Sequence, residues 1–436
     1  MKRGAFPESL TLSFYNKDGS RYGVCWQTES TGSPVLEYTL ADDAKFERAV
    51  RVHGRCEEFN GMIRNTAETE RLIAGEKYLW RVGDESGKLS KTYSFRAVDT
   101  SADGLTFLVF ADTQDNSHFG EWWVPAWKDA LRRFPDAAFM LHAGDIVQDG
   151  GDREQWRRML GINREIVTAL PMLPTAGNHE FAAHHFRSPK AKWVNKTLGA
   201  ESDGYANIYS HFNVDVPRQD VERGMYYSLD LGQLHITVLD SGDVEHMNYC
   251  GFTEEQVRWA LEDVSSSRPK WKIVMLHTPM YSPGKYGSRP DLMTNPKKLR
   301  ETFNKAFAEN GVDLVFAAHD HLFSETYPIG ADGKADHGCE YMIKKVNGRL
   351  YRLAADPAGV IHITSGCAGD QSRQVENEIC AEEFAAYRDM IDTPHGCVSY
   401  SAVRIEGNTL TVDHVLNRVD NGENVIIRRF GITKEQ

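Results

Sequence analysis

Carboxylate, amide and imidazole side chains stand where five apolar stretches of this sequence end. The residues at these ends are Asp112 with Gln114, Asp145, Asn178 with His179, His277, and His319 with His321. Apolar runs of this kind are typical of buried parallel strands, and ligands bind at the carboxyl edge of an open α/β sheet. We therefore expect these side chains to meet at one sheet edge. Such a set suits two divalent cations, which need a bridging carboxylate and several N and O ligands.

The residues beside these positions indicate how two of the groups are presented. Gly144 precedes Asp145 and permits a tight turn that presents the carboxylate. His319 and His321 flank Asp320. If this segment is extended, both imidazoles project to one side, because side chains along a strand alternate with period two.

Each of these signals taken singly has a plainer explanation. A lone histidine at the end of a strand, such as His277, is more often a hydrogen-bonded structural residue, and Asn178 alone would be a turn residue. The ordered set of five motifs is what indicates a metal site.

The stretches between the motifs predict the elements that position them. From residue 105 to about 370 strand and helix patterns alternate, which is typical of a layered α/β fold rather than an evenly spaced barrel. Helices are predicted over 121–134, 152–170, 253–267 and 296–310. The expected end signals are Asp152 as an N-cap, Thr253 with Gln256 as a capping box, and Gly311 as a C-cap.

Further strands are predicted at 225–231, 234–239 and 360–366. A short helix is predicted over 380–390. The tail predicts antiparallel strands at 398–405, 409–415 and 425–430, separated by Gly and Asn turns.

Residues 1–99 differ from the rest of the chain. Short stretches that alternate apolar and polar residues, separated by Gly, Pro and Ser turns, predict an antiparallel β-sandwich of about seven strands. It contains no cluster of catalytic residue types, so a packing or docking module is the favoured interpretation. Residues 99–104 are small and polar and suit a linker.

The composition is that of a globular protein, with 41% hydrophobic and 11% aromatic residues among 436. This length predicts two or three domains. The net charge of −12 disfavours a nucleic-acid polymer as partner, whereas a small phosphate substrate stays compatible because a local metal charge can outweigh the global sign. Seven cysteines without a C-x-x-C pair favour reduced thiols. With no stretch long enough to span a bilayer, we expect no membrane partner and a cytoplasmic protein, or one whose leader was removed.

The order of the motifs adds a resemblance to a known family. Asp-x-Gln, Gly-Asp, Gly-Asn-His-Glu, a single His and His-x-His, in this order, resemble the calcineurin-like binuclear metallophosphoesterases. The first 99 residues, with Val24-Cys-Trp-Gln-Thr28 and Tyr78-Leu-Trp-Arg-Val-Gly-Asp84, are similar to the N-terminal domain of purple acid phosphatases. The resemblance covers nearly the whole chain. It implies a four-layer α/β/β/α catalytic domain over 105–436, preceded by a fibronectin III-like β-sandwich over 1–99.

Carried over position by position, the resemblance implies that Asp145 bridges two divalent cations. One cation would also be held by Asp112, Gln114 and His321, and the other by Asn178, His277 and His319. His179 would stabilise charge on the phosphoryl oxygens or protonate the leaving group, and Glu180 would hold that imidazole in orientation. The cations (Mn, Fe, Zn or Mg) would activate a water molecule that hydrolyses a phosphate mono- or diester.

Two positions depart from the family pattern. Gln114 stands where most of the superfamily has His, and a neutral amide oxygen suits Mn or Mg better than Zn or Fe. Gln148 stands where purple acid phosphatases have a tyrosine, so there is no reason to expect ferric iron or a purple colour.

Several alternatives stay open at this point. The substrate is a phosphate monoester or diester, with a nucleotide-type phosphodiesterase as the nearest rival, and the choice depends on the shape of loops 115–121, 181–224, 241–250 and 281–295. From another class, a metal- and phosphate-binding scaffold with little turnover is favoured by the neutral amide of Gln114. The oligomeric state is unknown.

Overall fold

The computed structural model describes residues 7–59, 61–114, 121–180, 208–215, 225–241, 252–288, 296–369, 375, 381–388, 397–418 and 424–435. Its strands are β1 (Glu8–Phe14), β2 (Tyr22–Thr28), β3 (Pro34–Leu40), β4 (Val50–His53), β5 (Arg55–Phe59), β6 (Met62–Glu68), β7 (Lys77–Asp84), β8 (Tyr93–Arg96), β9 (Gly104–Phe110), β10 (Ala137–His142), β11 (Met172–Pro174), β12 (Tyr227–Leu231), β13 (Leu234–Val238), β14 (Trp271–Met275), β15 (Leu314–Ala317), β16 (Phe323–Thr326), β17 (Tyr341–Val346), β18 (Arg349–Ala355), β19 (Ile361–Ser365), β20 (Phe384–Arg388), β21 (Cys397–Glu406), β22 (Thr409–Arg418) and β23 (Asn424–Thr433). Its helices are α1 (Trp123–Arg133), α2 (Arg153–Ile162), α3 (Arg164–Val167), α4 (Glu254–Ser266), α5 (Lys285–Ser288), α6 (Pro296–Leu299) and α7 (Lys305–Glu309), with a π-helical turn at Arg300–Asn304 and a 3₁₀ turn at Ala381–Glu383.

The N-terminal strands form two four-stranded antiparallel sheets, in the orders β1-β2-β6-β5 and β4-β3-β7-β8. The predicted antiparallel strands are confirmed, with eight strands in the described residues against about seven predicted. Trp26 on β2 and Trp80 on β7 are each 1% exposed, as expected for large side chains that face the interior of a sandwich.

One sheet of the sandwich packs against the remainder of its own chain through the segment 208–215. The Arg64 guanidinium on β6 donates to the carbonyl of Phe212 at 2.9 Å, and the Asn213 amide donates to the carbonyl of Ala67 at 3.0 Å. The Thr11 hydroxyl donates to the carbonyl of His211. These buried hydrogen bonds fix the sandwich to the following part of the chain.

The first large sheet has the order β11-β10-β9-β21-β22-β23-β18-β17. Strands β9, β10 and β11 are parallel, with His142 in register with Phe110 and Pro174, so their carboxyl ends lie side by side. The three strands predicted in the tail are confirmed, and β21 pairs antiparallel with β9. The end of the chain thus completes the sheet that holds the first three motifs.

The second large sheet has the order β12-β13-β14-β15-β19-β16-β20, and β13, β14, β15 and β19 are parallel. His277 follows β14, and the His319 to His321 segment follows β15. The five motif-bearing strands are therefore divided between two sheets. The prediction of a single sheet edge is wrong, since the motifs meet where the carboxyl ends of two sheets approach each other.

The two large sheets pack face to face. The Phe323 ring on β16 stacks on the His414 ring of β22, with centroids 4.1 Å apart. Arg428 on β23 forms a bidentate ion pair with the buried carboxylate of Glu325 on β16, with N···O distances of 2.6 and 3.0 Å. Because the pair is desolvated and both oxygens are engaged, it fixes the spacing of the sheets at that point.

The caps predicted at the two helix N-termini are present, although the helices themselves differ in detail. Asp152 accepts the N–H of Glu154 at 2.8 Å and caps α2, which ends at Ile162 instead of continuing to 170. Thr253 accepts the N–H of Gln256 at the start of α4. In a capping box the Gln256 side chain would also bond the backbone N–H of Thr253. Here it bonds the backbone of Asp240 instead, at 2.7 and 2.9 Å.

Two other predicted helices also differ from the structure. The predicted helix 296–310 contains the π-helical turn between α6 and α7, and Gly311 follows it with φ +69°. The helix predicted at 380–390 is wrong: after a 3₁₀ turn, β20 pairs with the sheet edge at β16. No helix in the described part of the chain is long and apolar enough to cross a membrane.

Candidate metal centre

Four of the candidate ligands adopt an unusual backbone conformation. Asp112, Asp145, His319 and His321 have φ values of 50°, 54°, 69° and 51°. Left-handed conformations of non-glycine residues are uncommon and persist where the surrounding structure enforces them, often at functional sites. The expectation that 319–321 is extended is wrong. The turns direct the two imidazoles to different parts of the site.

The carboxylate of Asp145 is the point on which the other groups converge. Its Oδ2 lies 3.2 Å from Gln114 Nε2, 3.2 Å from His277 Nε2 and 3.9 Å from His179 Nε2. Its Oδ1 accepts the backbone N–H of His179 at 2.8 Å. Asp145 is 1% exposed, so these groups surround a buried negative charge.

Two overlapping sets of side chains place their ligand atoms within 4.8 Å of one another. The first set consists of Asp112, Asp145 and His321, with Gln114 Nε2 3.3 Å from His321 Nε2, and is called the Asp112 group. The second consists of Asp145, His277 and His319, with Asn178 Oδ1 3.1 Å from His277 Nε2, and is called the His277 group. Asp145 belongs to both.

The donor set fits divalent cations. The members are carboxylates, imidazoles and amides, which are ligands of Zn, Fe, Mn and Mg. The Oε1 atom of Gln114 is buried and has no hydrogen-bond partner within the described structure. A buried acceptor without a donor is costly, and a cation bound there would satisfy it.

Close backbone approach between the motif loops requires their glycines. A Cβ on Gly177 would lie 2.2 Å from Asp145 Oδ1, and a Cβ on Gly144, whose φ is +89°, would lie 2.6 Å from the nitrogen of Gly177. The glycines next to Asp145 and Asn178 therefore let the two loops touch.

The histidine of the second sheet is oriented from the first sheet. His277 Nδ1 lies 2.8 Å from the carbonyl of Ala143 and donates to it, because a carbonyl oxygen only accepts. Its Nε2 then faces Asp145. Burial lowers the pKa of His277, but the adjacent Asp145 charge outweighs that effect and raises the pKa to about 9. Burial likewise opposes ionisation of Asp145, yet His277 and His179 hold its pKa well below the usual value.

The hydrogen bonds of Glu180 run to the backbone of the motif loops, and its role in orienting the His179 imidazole stays a prediction. Its carboxylate accepts the backbone N–H groups of Asp145, Ile146 and Gly177 at 2.8, 2.7 and 2.7 Å, and that of Val147 at 3.2 Å. Burial and the charge of Asp145 raise the pKa of Glu180 to about 8. These contacts show that Glu180 clamps the backbone of two motif loops.

His179 takes its orientation from Gln148. Its Nδ1 donates to the backbone carbonyl of Gln148 at 2.7 Å, which leaves Nε2 on the side of Asp145. His179 is 7% exposed, more than Asp145 or His277. The sequence singled out Gln148 only as a missing tyrosine, and nothing in its residue type signals a backbone contact of this kind.

The loop after β19 is a supporting element that the motifs did not reveal. The N–H of Ala368 donates to the carbonyl of Ala111 at 2.9 Å, and a Cβ on Gly369 would lie 2.1 Å from the carbonyl of Gln114. The thiol of Cys367 donates to the carbonyl of Asp112 at 3.2 Å. A glycine turn at the end of a strand was the signal available in the sequence.

The fold and the sequence agree on the class of protein. Residues 105–323 match the calcineurin-like phosphoesterase family, and residues 7–97 match the purple acid phosphatase N-terminal domain. The chain belongs to the calcineurin-like phosphoesterases and carries the N-terminal domain of purple acid phosphatases, as the motif order predicted.

Individual relatives are distant but cover most of the chain. Acid phosphatase type 7 of Mus musculus is 24% identical over 440 residues, which cover 94% of this chain and 85% of the relative. The Homo sapiens protein of that name is 25% identical over 410 residues, covering 88% and 83%. A protein named probable inactive purple acid phosphatase 1 of Arabidopsis thaliana is 23% identical over 310 residues, covering 66% and 48%.

A solved structure shares the fold. Purple acid phosphatase PPD1 from yellow lupin (Lupinus luteus) seeds superimposes with a TM-score of 0.74 at 16% identity, covering 99% of this chain and 75% of that one.

Proposed function

We propose that this chain hydrolyses phosphate mono- or diesters at a centre of two divalent cations. The observation that carries the proposal is the pair of overlapping groups that share Asp145. The Asp112 group, with Gln114, would hold one cation, and the His277 group, with Asn178, would hold the other. When bound, the cations activate a water molecule and neutralise charge on the phosphoryl oxygens.

We also propose the domain division 1–99 and 105–436, with helices outside each large sheet. In support, Trp123 of α1 packs on Phe110 with ring centroids 5.5 Å apart, on the outer face of the first sheet. Ala260 and Val264 of α4 share a core with Val274 and Val315 of the second sheet. On this basis we propose the four-layer α/β/β/α order, preceded by a fibronectin III-like sandwich.

His179 is the proposed acid and charge-stabilising residue. Its Nδ1 is occupied by the Gln148 carbonyl, so Nε2 is the atom that can deliver a proton or a hydrogen bond to a phosphoryl or leaving-group oxygen. Its backbone N–H donates to Asp145, which ties its position to the carboxylate that both groups share. Glu180 acts on the loops that carry both residues.

Two alternatives differ from this proposal in the substrate or in the turnover. A nucleotide-type phosphodiesterase differs in the substrate pocket, whose predicted loops lie largely outside the described residues. A scaffold that binds metal and phosphate with little turnover is favoured by the neutral amide of Gln114 in the Asp112 group. One relative is named a probable inactive purple acid phosphatase, so the test includes the outcome expected of such a scaffold.

Hydrolysis of p-nitrophenyl phosphate and of its bis ester, with Mn²⁺ added to the full chain, tests the proposal. Turnover that is lost in Asp145→Asn and preserved in the surface variant Glu154→Gln is the expected result. Equal turnover in wild type and Asp145→Asn would remove the proposed mechanism. Metal binding without turnover on either ester would favour the scaffold, and the ratio of the two rates separates monoesterase from diesterase.

A further inference from the structure

His142, the last residue of β10, is a buried imidazole that the chemistry proposed above does not use. It is 0% exposed and lies edge-on to the ring of Trp123, with centroids 5.9 Å apart. Burial, followed by the nearby charge of His277, lowers the pKa of His142 to about 3. The ring is therefore a neutral hydrogen-bonding group.

The contacts of Thr113 fix the tautomer of this ring. The Thr113 hydroxyl lies 3.0 Å from the carbonyl of Ile146 and 3.0 Å from His142 Nε2. The carbonyl only accepts, so the hydroxyl proton is directed to Ile146. His142 Nε2 must then carry the proton that it donates to Thr113 Oγ1. The result is a directed chain from His142 through Thr113 to Ile146.

This chain joins two motif loops. Thr113 lies between Asp112 and Gln114, and Ile146 directly follows Asp145. Backbone hydrogen bonds run beside it, from the N–H of Asp112 to the carbonyl of Gly144 at 3.1 Å and from the N–H of Gln114 to the carbonyl of Asp145 at 3.0 Å. The hydrogen bonds that run from His142 through Thr113 to Ile146, called the brace, therefore help to fix the distance of Asp112 and Gln114 from Asp145.

The His277 group is held by other contacts. His277 is fixed by the carbonyl of Ala143, and the loop that carries Asn178 is held by the carboxylate of Glu180 at the N–H of Gly177. Glu180 reaches both loops, through the N–H groups of Ile146 and Gly177. Among the described residues, however, the side chains of His142 and Thr113 hydrogen-bond each other and Ile146, and no ligand of the His277 group. Loss of the brace should therefore weaken cation binding by the Asp112 group more than by the His277 group.

We propose that His142 and Thr113 are positioning residues that set the cation affinity of the Asp112 group selectively. The inference rests on the proposed two-cation function and assigns a part to two residues outside the ligand set. Side chains that orient metal ligands typically change metal affinity about 10- to 100-fold when removed. The neutral amide of Gln114 makes the Asp112 group more dependent on such support, since an amide is a weaker ligand than imidazole.

Calorimetric titration of Mn²⁺ into the metal-free full chain tests the proposal without an activity readout. The Gln114→Ala and Asn178→Ala proteins identify which binding step belongs to which group. His142→Phe and Thr113→Val remove the brace, whereas His142→Gln and Thr113→Ser keep a donor or hydroxyl at each position. His414→Phe is the matched control, because His414 is also buried and bonded to a hydroxyl, that of Ser401 at 2.8 Å.

Support requires that His142→Phe and Thr113→Val weaken the Asp112 step by about 10-fold or more, with the His277 step within about 2-fold. The conservative variants and His414→Phe should match wild type. Equal weakening of both steps, or no change, overturns the brace while the two-cation function stands. A wild-type chain that binds fewer than two Mn²⁺ overturns the proposed function and the brace with it.

Discussion

The carboxylate of Glu180 lies against the backbone of Asp145 and accepts its N–H at 2.8 Å. The same carboxylate accepts the next two amides of that loop and the amide of Gly177. A buried carboxyl group surrounded by backbone donors holds a turn that would otherwise be strained, here the one in which Asp145 has φ +54°.

Glu180→Gln should lower both stability and metal affinity. An amide offers one acceptor oxygen and an unwanted donor, so backbone N–H groups of two loops lose their partner at about 1–3 kcal/mol each. We expect a lower midpoint of thermal unfolding and about 10- to 100-fold weaker Mn²⁺ binding. Glu154→Gln is the control, because Glu154 pairs with Arg157 on the surface of α2. A Glu180→Gln chain equal to wild type in both measurements would contradict the clamp.

Gln114→His should strengthen the Asp112 group for Zn²⁺. Imidazole is a better ligand than a neutral amide for this cation, and we expect affinity to rise about 10-fold. Competition with a chromogenic chelator measures the constant. Unchanged or weaker binding would show that Gln114 does not face the cation.

His179→Ala should separate catalysis from metal binding. Loss of a general acid typically costs about 10²- to 10⁴-fold in rate, and the two cation groups retain their ligands. Gln148→Ala should have an effect below about 10-fold, because it removes the side-chain amide, whose Nε2 lies 3.1 Å from His179 Nδ1, but keeps the backbone carbonyl that accepts from Nδ1 at 2.7 Å. Steady-state kinetics with elemental analysis of each protein checks both expectations. Equal losses in the two variants would be inconsistent with a backbone-held imidazole.

His362→Phe should stabilise the protein. His362 on β19 is 3% exposed, neither ring nitrogen has a hydrogen-bond partner among the described residues, and its ring packs on Tyr281 with centroids 4.6 Å apart. Each unsatisfied buried group costs about 1–3 kcal/mol, and Phe fills a similar volume without it. Thermal unfolding should show a higher midpoint. In contrast His235→Phe, which removes a buried imidazole bonded to Asp263 at 2.9 Å, should lower it.

The pair of His235 and Asp263 predicts a fall in stability at rising pH. Burial opposes protonation of His235, but hydrogen bonds to Asp230 and Asp263 outweigh it and raise the pKa. The folded chain therefore binds this proton more tightly than the unfolded chain, whose His pKa is about 6.5. The stabilisation is complete below about pH 6.5 and is lost as the pH rises through the raised pKa. Unfolding midpoints measured across this range should decline in wild type and show a smaller decline in His235→Phe.

Asp263 adds the opposite dependence at low pH. Burial raises its pKa, but His235 and Ser228 overcome this and lower the pKa to about 2. Its stabilisation is present above the unfolded value of about 3.9 and is lost as the pH falls towards 2. Lys17 of the sandwich lies 3.1 Å from the same carboxylate, so the stability lost at low pH should include this contact between the sandwich and the rest of the chain.

Local signals in the sequence predicted local structure well. Asp152 and Thr253 carry side-chain oxygens that cap a helix whatever surrounds them, and both do so here. The order of the motifs predicted which side chains would lie together, because each ends a strand whose direction the fold fixes.

Features that depend on distant partners were not predictable. The segment 380–390 is rich in Ala and Glu, yet β20 forms because the open edge at β16 offers hydrogen bonds. The turn at His319 is set by Asp112, whose carboxylate accepts the His319 N–H at 3.0 Å across more than two hundred positions. The division of the strands between two sheets also follows from such pairings.

Anomalous diffraction from crystals of the full chain grown with Mn²⁺ shows directly whether two cations bind around Asp145. We expect two peaks, one among Asp112, Gln114, Asp145 and His321 and one among Asp145, Asn178, His277 and His319, with the Asp145 carboxylate between them. A single peak away from Asp145, or none at saturating Mn²⁺, would contradict it.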